Sequence, residues 1–423
     1  MMEKLQNKIP LVRFPEFKDN WENITFDDFL IFTPRPILKP KENYLSIGIR
    51  SHFKGTFQKP NTDPTKNAMD TLYMVKENDF LVNITFAWEG ALAIVPKEDE
   101  GGLVSHRFPT YTFKKDKVLN SFFKYSFFRE KSKHQLGIVS PGGAGRNRVM
   151  NKKDFVKLKF PIPTLTEQKR IANFFTVLDN KINQLKEKKT LLEDYKKGMM
   201  QKIFSQEIRF KDDGTEFIDW ENYLYGNIFN FHSTNSLSRD YLNNEIGKVK
   251  NIHYGDIHTK FNVLFNINNE ITPFINESVN ISKISKENYC QVGDLIIADA
   301  SEDYADIGKA IEIIDLNNEK ILAGLHTILA RPKSGKIISG FAGYLMQSNE
   351  IRKQIMIIAQ GTKVLGLSSK QLAKIKIKIP SQPEQTKIAN FLTKIDDKIK
   401  TVNEQIEKTK EYKKGLLQKM YCV

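Results

Sequence analysis

Four short stretches carry side chains suited to holding a polyanion. Ser140-Pro141-Gly142-Gly143-Ala144-Gly145-Arg146-Asn147-Arg148 is a polar, glycine-rich loop. Its backbone amides can approach phosphates, and Arg146 and Arg148 can pair with phosphates or reach base edges. Arg50-Ser51-His52-Phe53-Lys54 follows an apolar, strand-like run, as does His253-Tyr254-Gly255-Asp256-Ile257-His258-Thr259-Lys260. Both mix cations, hydroxyls and an aromatic ring, the groups that read base edges and grip phosphates. Gln360-Gly361-Thr362-Lys363 stands where the glycine-rich loop stood and keeps a glycine, a hydroxyl and a cation. The candidate DNA contacts are therefore Arg50, Ser51, His52, Lys54, Arg107, Arg146, Arg148, His253, Tyr254, His258, Lys260 and Lys363.

Catalytic signatures are missing. Ser334-Gly335-Lys336-Ile337 lacks the spacing and the hydroxyl of a phosphate loop, and there is no Gly-x-Ser-x-Gly elbow or His-Glu-x-x-His helix. The Asn/Asp-Pro-Pro-Tyr/Phe tetrapeptide of amino-methyltransferases is absent too. The seven histidines make no cluster in sequence. His106 and His326 occupy equivalent places beside apolar runs and suit structural or ligand-contact roles. Glu302, Asp303 and Asp306 read as a solvated loop. No catalytic residue and no metal site is assigned.

The bulk numbers agree with a polyanion partner. Over 423 residues, 65 Lys and Arg against 50 Asp and Glu give a net charge of +15 and a pI near 9.4. Hydrophobic residues at 40% and charged residues at 27% describe a globular chain long enough for several cores. The opening MMEKLQNKIP lacks an apolar signal region and no run is long enough to span a membrane, so cytoplasmic residence is expected. Two distant cysteines, Cys290 and Cys422, fit a reducing compartment and argue against structural zinc.

The elements that position these loops come in duplicate. Residues 160–204 and 377–421 align without a gap. The alignment pairs Pro163 with Pro380, Glu167-Gln168 with Glu384-Gln385, and Ile171-Ala172-Asn173-Phe174 with Ile388-Ala389-Asn390-Phe391. It also pairs Asp179 with Asp396 and Tyr195-Lys196-Lys197-Gly198 with Tyr412-Lys413-Lys414-Gly415. Each copy reads as a long helix after a proline-ended strand, with Thr164 or Thr166 as the N-cap in the first and Glu167 in its first turn. Apolar residues recur every heptad: Ile171, Leu178, Leu185 and Leu192 in one copy, Ile388, Ile395, Val402 and Leu416 in the other. Such a seam predicts that the two helices pack on each other as a coiled coil. Gly198 and Gly415, near the C-terminal ends, suggest close packing or fraying.

Upstream of each helix lies a strand-rich, α+β segment. In the first, Tyr44–Ile49, Asp70–Val75, Asp79–Thr85, Ala91–Val95 and Gly102–Phe113 have strand character, Lys117–Glu130 has helical spacing, and Phe155–Ile162 is a return strand. The second repeats the plan: Ile208-Arg209-Phe210 answers Val12-Arg13-Phe14, and Trp220-Glu221-Asn222 answers Trp21-Glu22-Asn23. Asp294–Ala298 answers Asp79–Asn83, Leu325-His326-Thr327 takes the place of Ser105-His106-Arg107, and Ala373–Ile379 is the return strand. Four segments result: 1–158 and 208–376 as strand-rich globular parts, 159–207 and 377–423 as long helices.

This layout resembles the specificity subunit of type I restriction-modification systems. The resemblance covers the whole chain and rests chiefly on Pro163, Glu167, Gln168, Ile171, Ala172 and Asp179 with Pro380, Glu384, Gln385, Ile388, Ala389 and Asp396. It implies that each globular part is a target recognition domain reading one half of a bipartite double-stranded DNA site. It also implies that the antiparallel helices space the two readers and dock two methyltransferase subunits, which restriction and translocation subunits join. S-adenosylmethionine, ATP and Mg would then sit on those partners, with no cofactor on this chain. A helix of roughly 38 residues is about 57 Å long, more than the DNA repeat of about 34–36 Å. Two other classes fit less well: a coiled-coil assembly scaffold without DNA specificity, and a fused methyltransferase or nuclease.

Overall fold

In the computed structural model, residues 9–143, 148–210, 218–333 and 335–421 are described. The chain forms two compact α+β units: residues 1–186 with 404–423, and residues 187–403. This division falls inside both long helices, Leu165–Phe204 and Gln382–Lys419. Each unit therefore holds the N-terminal part of one helix and the C-terminal part of the other, whereas the sequence suggested separate helical segments.

The first unit is tied at its base by a two-stranded clasp. Glu22–Thr25, directly after the tryptophan, pairs antiparallel with Lys159–Ile162, directly before the helix. Between them lie a four-stranded antiparallel sheet, a five-stranded mixed sheet and the helices Asn120–Phe127 and Glu130–Ile138. The first sheet orders Leu30–Phe32, Thr110–Phe113, Phe80–Val82 and Leu92–Ile94. The second orders Pro36–Leu38, Thr71–Met74, Leu103–Val104, Tyr44–Ile49 and Thr56–Thr62, with Tyr44–Ile49 and Leu103–Val104 parallel. The expected return strand is shorter than Phe155–Ile162, because Asn151 caps a helical turn, Lys152–Phe155, that buries Phe155. The core is a phenylalanine cluster around Phe26, Phe80, Phe123 and Phe160, closed by Ile171, Ala172 and Phe175 of the first helix and by Met420 and Tyr421 beyond the second. Tyr421 stacks on Phe175 and meets Trp21 and Phe122 edge-on or tilted.

The second unit repeats the plan. Its clasp pairs Glu221–Leu224 with Lys376–Ile379, again four residues long behind a helical turn, Ser369–Leu372. A five-stranded sheet orders Phe229–His232, Thr327–Pro332, Leu295–Ala298, Ala310–Asp315 and Leu264–Asn266. A four-stranded sheet contains Lys250–Ile252 parallel to Ile321–Ala323. Here Met200, Ile203 and Phe204 of the first helix enter the core with Ile388, Leu392 and Ile395 of the second. Phe204 meets Trp220 and Phe341 as Tyr421 meets Trp21 and Phe122. Ile208 N–H donates to the Lys202 carbonyl at 3.1 Å, and Val12 N–H to the Lys419 carbonyl at 3.0 Å.

The paired motifs are architectural. Gln168 donates to the carbonyls of Lys117 and Pro163 and accepts from Leu119 N–H. Gln385 does the same with Lys336, Pro380 and Ile338. A side-chain amide can satisfy three buried backbone groups at once, which suits it to pin a loop to a helix start. Glu167 forms a two-pronged pair with Arg13, and Glu384 with Arg209. The cap of the first helix is Thr164, whose hydroxyl accepts from Glu167 N–H at 3.4 Å.

Within each unit the helix segments run antiparallel. In the second, Lys189 meets Asn403 at 2.9 Å and Lys196 meets Asp396 at 2.6 Å; in the first, Lys413 meets Asp179. Tyr125 donates to Asp179 and Tyr344 to Asp396, both at 2.8 Å. Of the predicted seam, Ile171, Leu185, Ile388, Ile395 and Val402 are buried, and Leu178, Leu192 and Leu416 are half-buried. Phe175, Ile182, Leu392 and Ile406 widen the buried stripe. Gly198 and Gly415 are not close-packed: a Cβ at either would meet nothing within 4 Å, and both helices continue through them. Among the described residues no helix is long and apolar enough to cross a membrane.

Candidate nucleic-acid interface

In each unit the candidate residues outside the glycine-containing loop leave the C-terminal ends of the parallel strand pair. Loops at that end share one edge of the sheet, where open α/β sheets place ligands. In the first unit these are residues 50–55 after Tyr44–Ile49 and 105–107 after Leu103–Val104. In the second they are 253–260 after Lys250–Ile252 and 324–326 after Ile321–Ala323. A third segment joins each edge: Asn83–Gly90 after Phe80–Val82, and Asp299–Asp306 after Leu295–Ala298. Equivalent backbone bonds fix these segments. Ile84 N–H donates to the Arg107 carbonyl and Asp299 N–H to the His326 carbonyl, both at 3.0 Å. Met150 N–H then closes on Ile84, and Leu367 N–H on Asp299, both at 2.8 Å. His326 therefore answers Arg107 and not His106, a one-residue correction to the sequence pairing.

At the first edge, Arg50 donates to the Thr56 carbonyl and lies 5.1 Å from the centre of the Phe57 ring. Ser51 donates to Glu89 at 2.8 Å. His52 and Phe53 take left-handed backbone angles, and their amides donate to Glu89 and Gly90 carbonyls. Gly90 is required there, since a Cβ would sit 2.9 Å from the Phe53 ring and its φ is +80°. Lys54 is exposed, and Arg107 is exposed with one donor 3.3 Å from the Thr85 hydroxyl. Arg148 is a local clamp: it lies over Trp88 and donates to the carbonyls of Gly137 and Ser140. Arg146 lies outside the described residues. Lys133, missed in the sequence, reaches His52 Nδ1 and Glu130 at 2.8 Å.

At the second edge, residues 254–259 form a short helix with His253 as its cap, accepting from Gly255 N–H at 3.1 Å. Burial first, and Arg239 second, lower the proton affinity of His253. Buried Asp256 binds Lys260 at 2.9 Å and Arg239 at 3.1 Å. Burial disfavours its charge, but those two cations hold its pKa below the usual value. Lys260 is therefore half committed to its own helix. His258 donates through Nε2 to the Ala300 carbonyl at 3.0 Å. The Tyr254 ring contacts His253, His258 and His326, with centroids 4.7, 5.9 and 5.2 Å away. His326 pairs with Asp299 at 3.3 Å. Lys363 is exposed in a tight loop closed by reciprocal Gln360–Gly366 hydrogen bonds. Gly361 is needed in that loop, because a Cβ would stand 2.0 Å from the Val364 carbonyl. Asp303, read as solvated, caps the Ala305 amide.

Each edge thus presents cations, imidazoles, hydroxyls and aromatic rings, a set suited to binding and discrimination. Among the described residues no group of three His, Cys, Asp or Glu side chains is arranged to hold a metal ion. His326 was read in the sequence only as a structural or ligand-contact residue, and Lys133 and Arg239 were not among the candidates. The offset between matched strands could have shown the first; the others come from elements distant in the chain.

The family model of the type I restriction modification DNA specificity domain matches residues 18–194 and 218–411. The MjaVIII specificity subunit of a type I restriction enzyme from Methanocaldococcus jannaschii is 26% identical over 424 residues, covering 96% of this chain and 93% of the relative. The putative MjaX specificity subunit of the same organism is 27% identical over 318 residues, 72% of this chain and 68% of the relative. A chain from a study of complex assembly and conformational transition in a type I R-M system superposes with a TM-score of 0.57 at 16% identity, over 95% and 97% of the two chains. The type I S subunit from M. genitalium gives 0.55 at 15% identity, over 98% and 99%. At such identities the solved structures bear on the fold alone.

Proposed function

The chain belongs to the type I restriction modification DNA specificity family, and from that premise we propose that each unit reads one half of a bipartite, asymmetric DNA site. The observation that carries this is the duplicated edge: one backbone frame in both units, furnished with different side chains. Arginine, hydroxyl and aromatic groups dominate the first edge, and a tyrosine–histidine cluster the second. Two readers of different chemistry on one frame would select an asymmetric sequence. In this reading the helices space the readers and dock two methylation subunits, and the chain itself catalyses nothing. S-adenosylmethionine, ATP and Mg belong to the partner subunits, and the complex works on cytoplasmic DNA.

Binding by the complex of this chain with its methylation subunits tests the reading. Arg107→Ala should cost about 1–3 kcal/mol and relax selection within one half-site only. Lys54→Ala should weaken all sequences alike and reduce the salt slope by about one. Binding that ignores salt, or that neither change affects, would contradict the assignment of this edge.

A further inference from the structure

The first edge is not a flat reading surface. A cavity of about 420 Å³ runs along the Tyr44–Ile49 strand and reaches the three loops at Ser51, Ser105 and Asn83–Glu89. Four half-buried aromatic side chains, Tyr44, Phe57, Phe86 and Phe108, line it together with Asn83 and Glu89. We propose that this cavity receives a nucleobase turned out of the DNA helix. The inference rests on the reading of this edge as DNA-binding and adds to it how one position of the half-site is recognised.

A base is planar, with π faces and a polar rim, and aromatic side chains supply stacking partners that water does not replace. The polar lining supplies the rim. Asn83 Oδ1 accepts from Thr85 N–H at 3.1 Å, which leaves the amide nitrogen as a donor. Glu89 Oε2 accepts from Ser51, which leaves Oε1 as an acceptor. Every base carries a donor beside an acceptor on its Watson–Crick edge, so a lining that offers one acceptor and one donor can satisfy a base rim. Cations stand where the displaced backbone would pass: Arg50 and Lys59 lie 5.1 and 5.4 Å from the centre of the Phe57 ring. Bases are turned out elsewhere so that chemistry can reach them; here the same movement would serve selection.

The test uses the full chain with its methylation subunits and duplexes carrying the site that methylome sequencing defines. 2-Aminopurine is stepped through the first half-site, away from the methylated adenine. A several-fold rise in fluorescence at one position is expected. Ser46→Phe, which fills the cavity from the strand, should abolish the rise and weaken binding about tenfold. Phe108→Leu, which removes a ring and keeps the bulk, should reduce the same signal if Ser46→Phe does not fold. Salt-dependent, sequence-selective binding with no rise at any position overturns this inference and leaves DNA reading standing. Loss of DNA binding altogether overturns the reading beneath it. Binding of free AMP or CMP by the complex, again with no rise in the duplex, assigns the cavity to free nucleotides and also overturns the inference.

Discussion

Glu167 and Glu384 open their helices, where the macrodipole favours a carboxylate, but burial governs their worth. Each is almost fully enclosed and held by two hydrogen bonds from one arginine. Removing one member of such a pair strands the other, at a cost of about 3–5 kcal/mol. Glu167→Ala should therefore lower the urea midpoint of the chain sharply, and Glu384→Ala should do so at least as much, since it also deprives Trp220 Nε1 of its acceptor. Glu312 behaves differently. Fully buried, it accepts Gly340 and Gly343 amides at 2.5 and 2.7 Å, yet burial pushes its carboxyl up to about 7. A pKa raised by folding stabilises the fold fully below the unfolded value and loses that contribution as pH rises through the folded one. Stability should fall between about pH 4.5 and pH 7, by about 3 kcal/mol, and Glu312→Gln should flatten that slope in urea titrations. That Arg50–Lys54 and His253–Lys260 each follow a strand was legible in the sequence. What those residues do to one another was not. Arg148 clamps Gly137 and Ser140, Lys260 neutralises Asp256, and His326 sits one residue from its expected register. Local composition says nothing of such partners, because strand register is set by pairing across the fold.

Between the helices, the two triads Tyr125–Asp179–Lys413 and Tyr344–Asp396–Lys196 are copies of one device. A double-mutant cycle on Asp179 and Lys413 should return a coupling of about 1 kcal/mol, as should Asp396 with Lys196, because both pairs are partly screened by solvent. Clearly unequal couplings would show that duplication kept the sequence and not the energetics. Gly198→Ala and Gly415→Ala should each stabilise by about 0.5–1 kcal/mol, since the helix is unbroken and the space for a methyl is open. A loss in thermal denaturation would mean that those glycines face a partner. The helices themselves were legible from their heptads and caps. That Phe204 and Tyr421 would complete the aromatic cores was not, because the heptad pattern records which face is apolar and not what covers it.

For the whole molecule, the clasps set the natural boundaries of a module. Glu22–Thr25 with Lys159–Ile162, and Glu221–Leu224 with Lys376–Ile379, close each recognition segment at its base. The helix starts, with their pinned Gln168 and Gln385, lie outside the clasps. Replacing residues 26–158 by the corresponding segment of another family member should therefore leave both helices and the second edge intact. Burying a charge in the helices should do the opposite. Leu185→Asp with Val402→Asp puts carboxylates at two buried positions, each costing several kcal/mol, and should abolish methylation whatever the DNA sequence. The central claim, two independent readers on one duplicated frame, is tested most directly by methylome sequencing of a host that carries this chain and its partner subunits, before and after exchange of residues 26–158. A split motif in which one half changes and the other half persists is the predicted result. An unchanged motif, or one in which both halves change together, would contradict it.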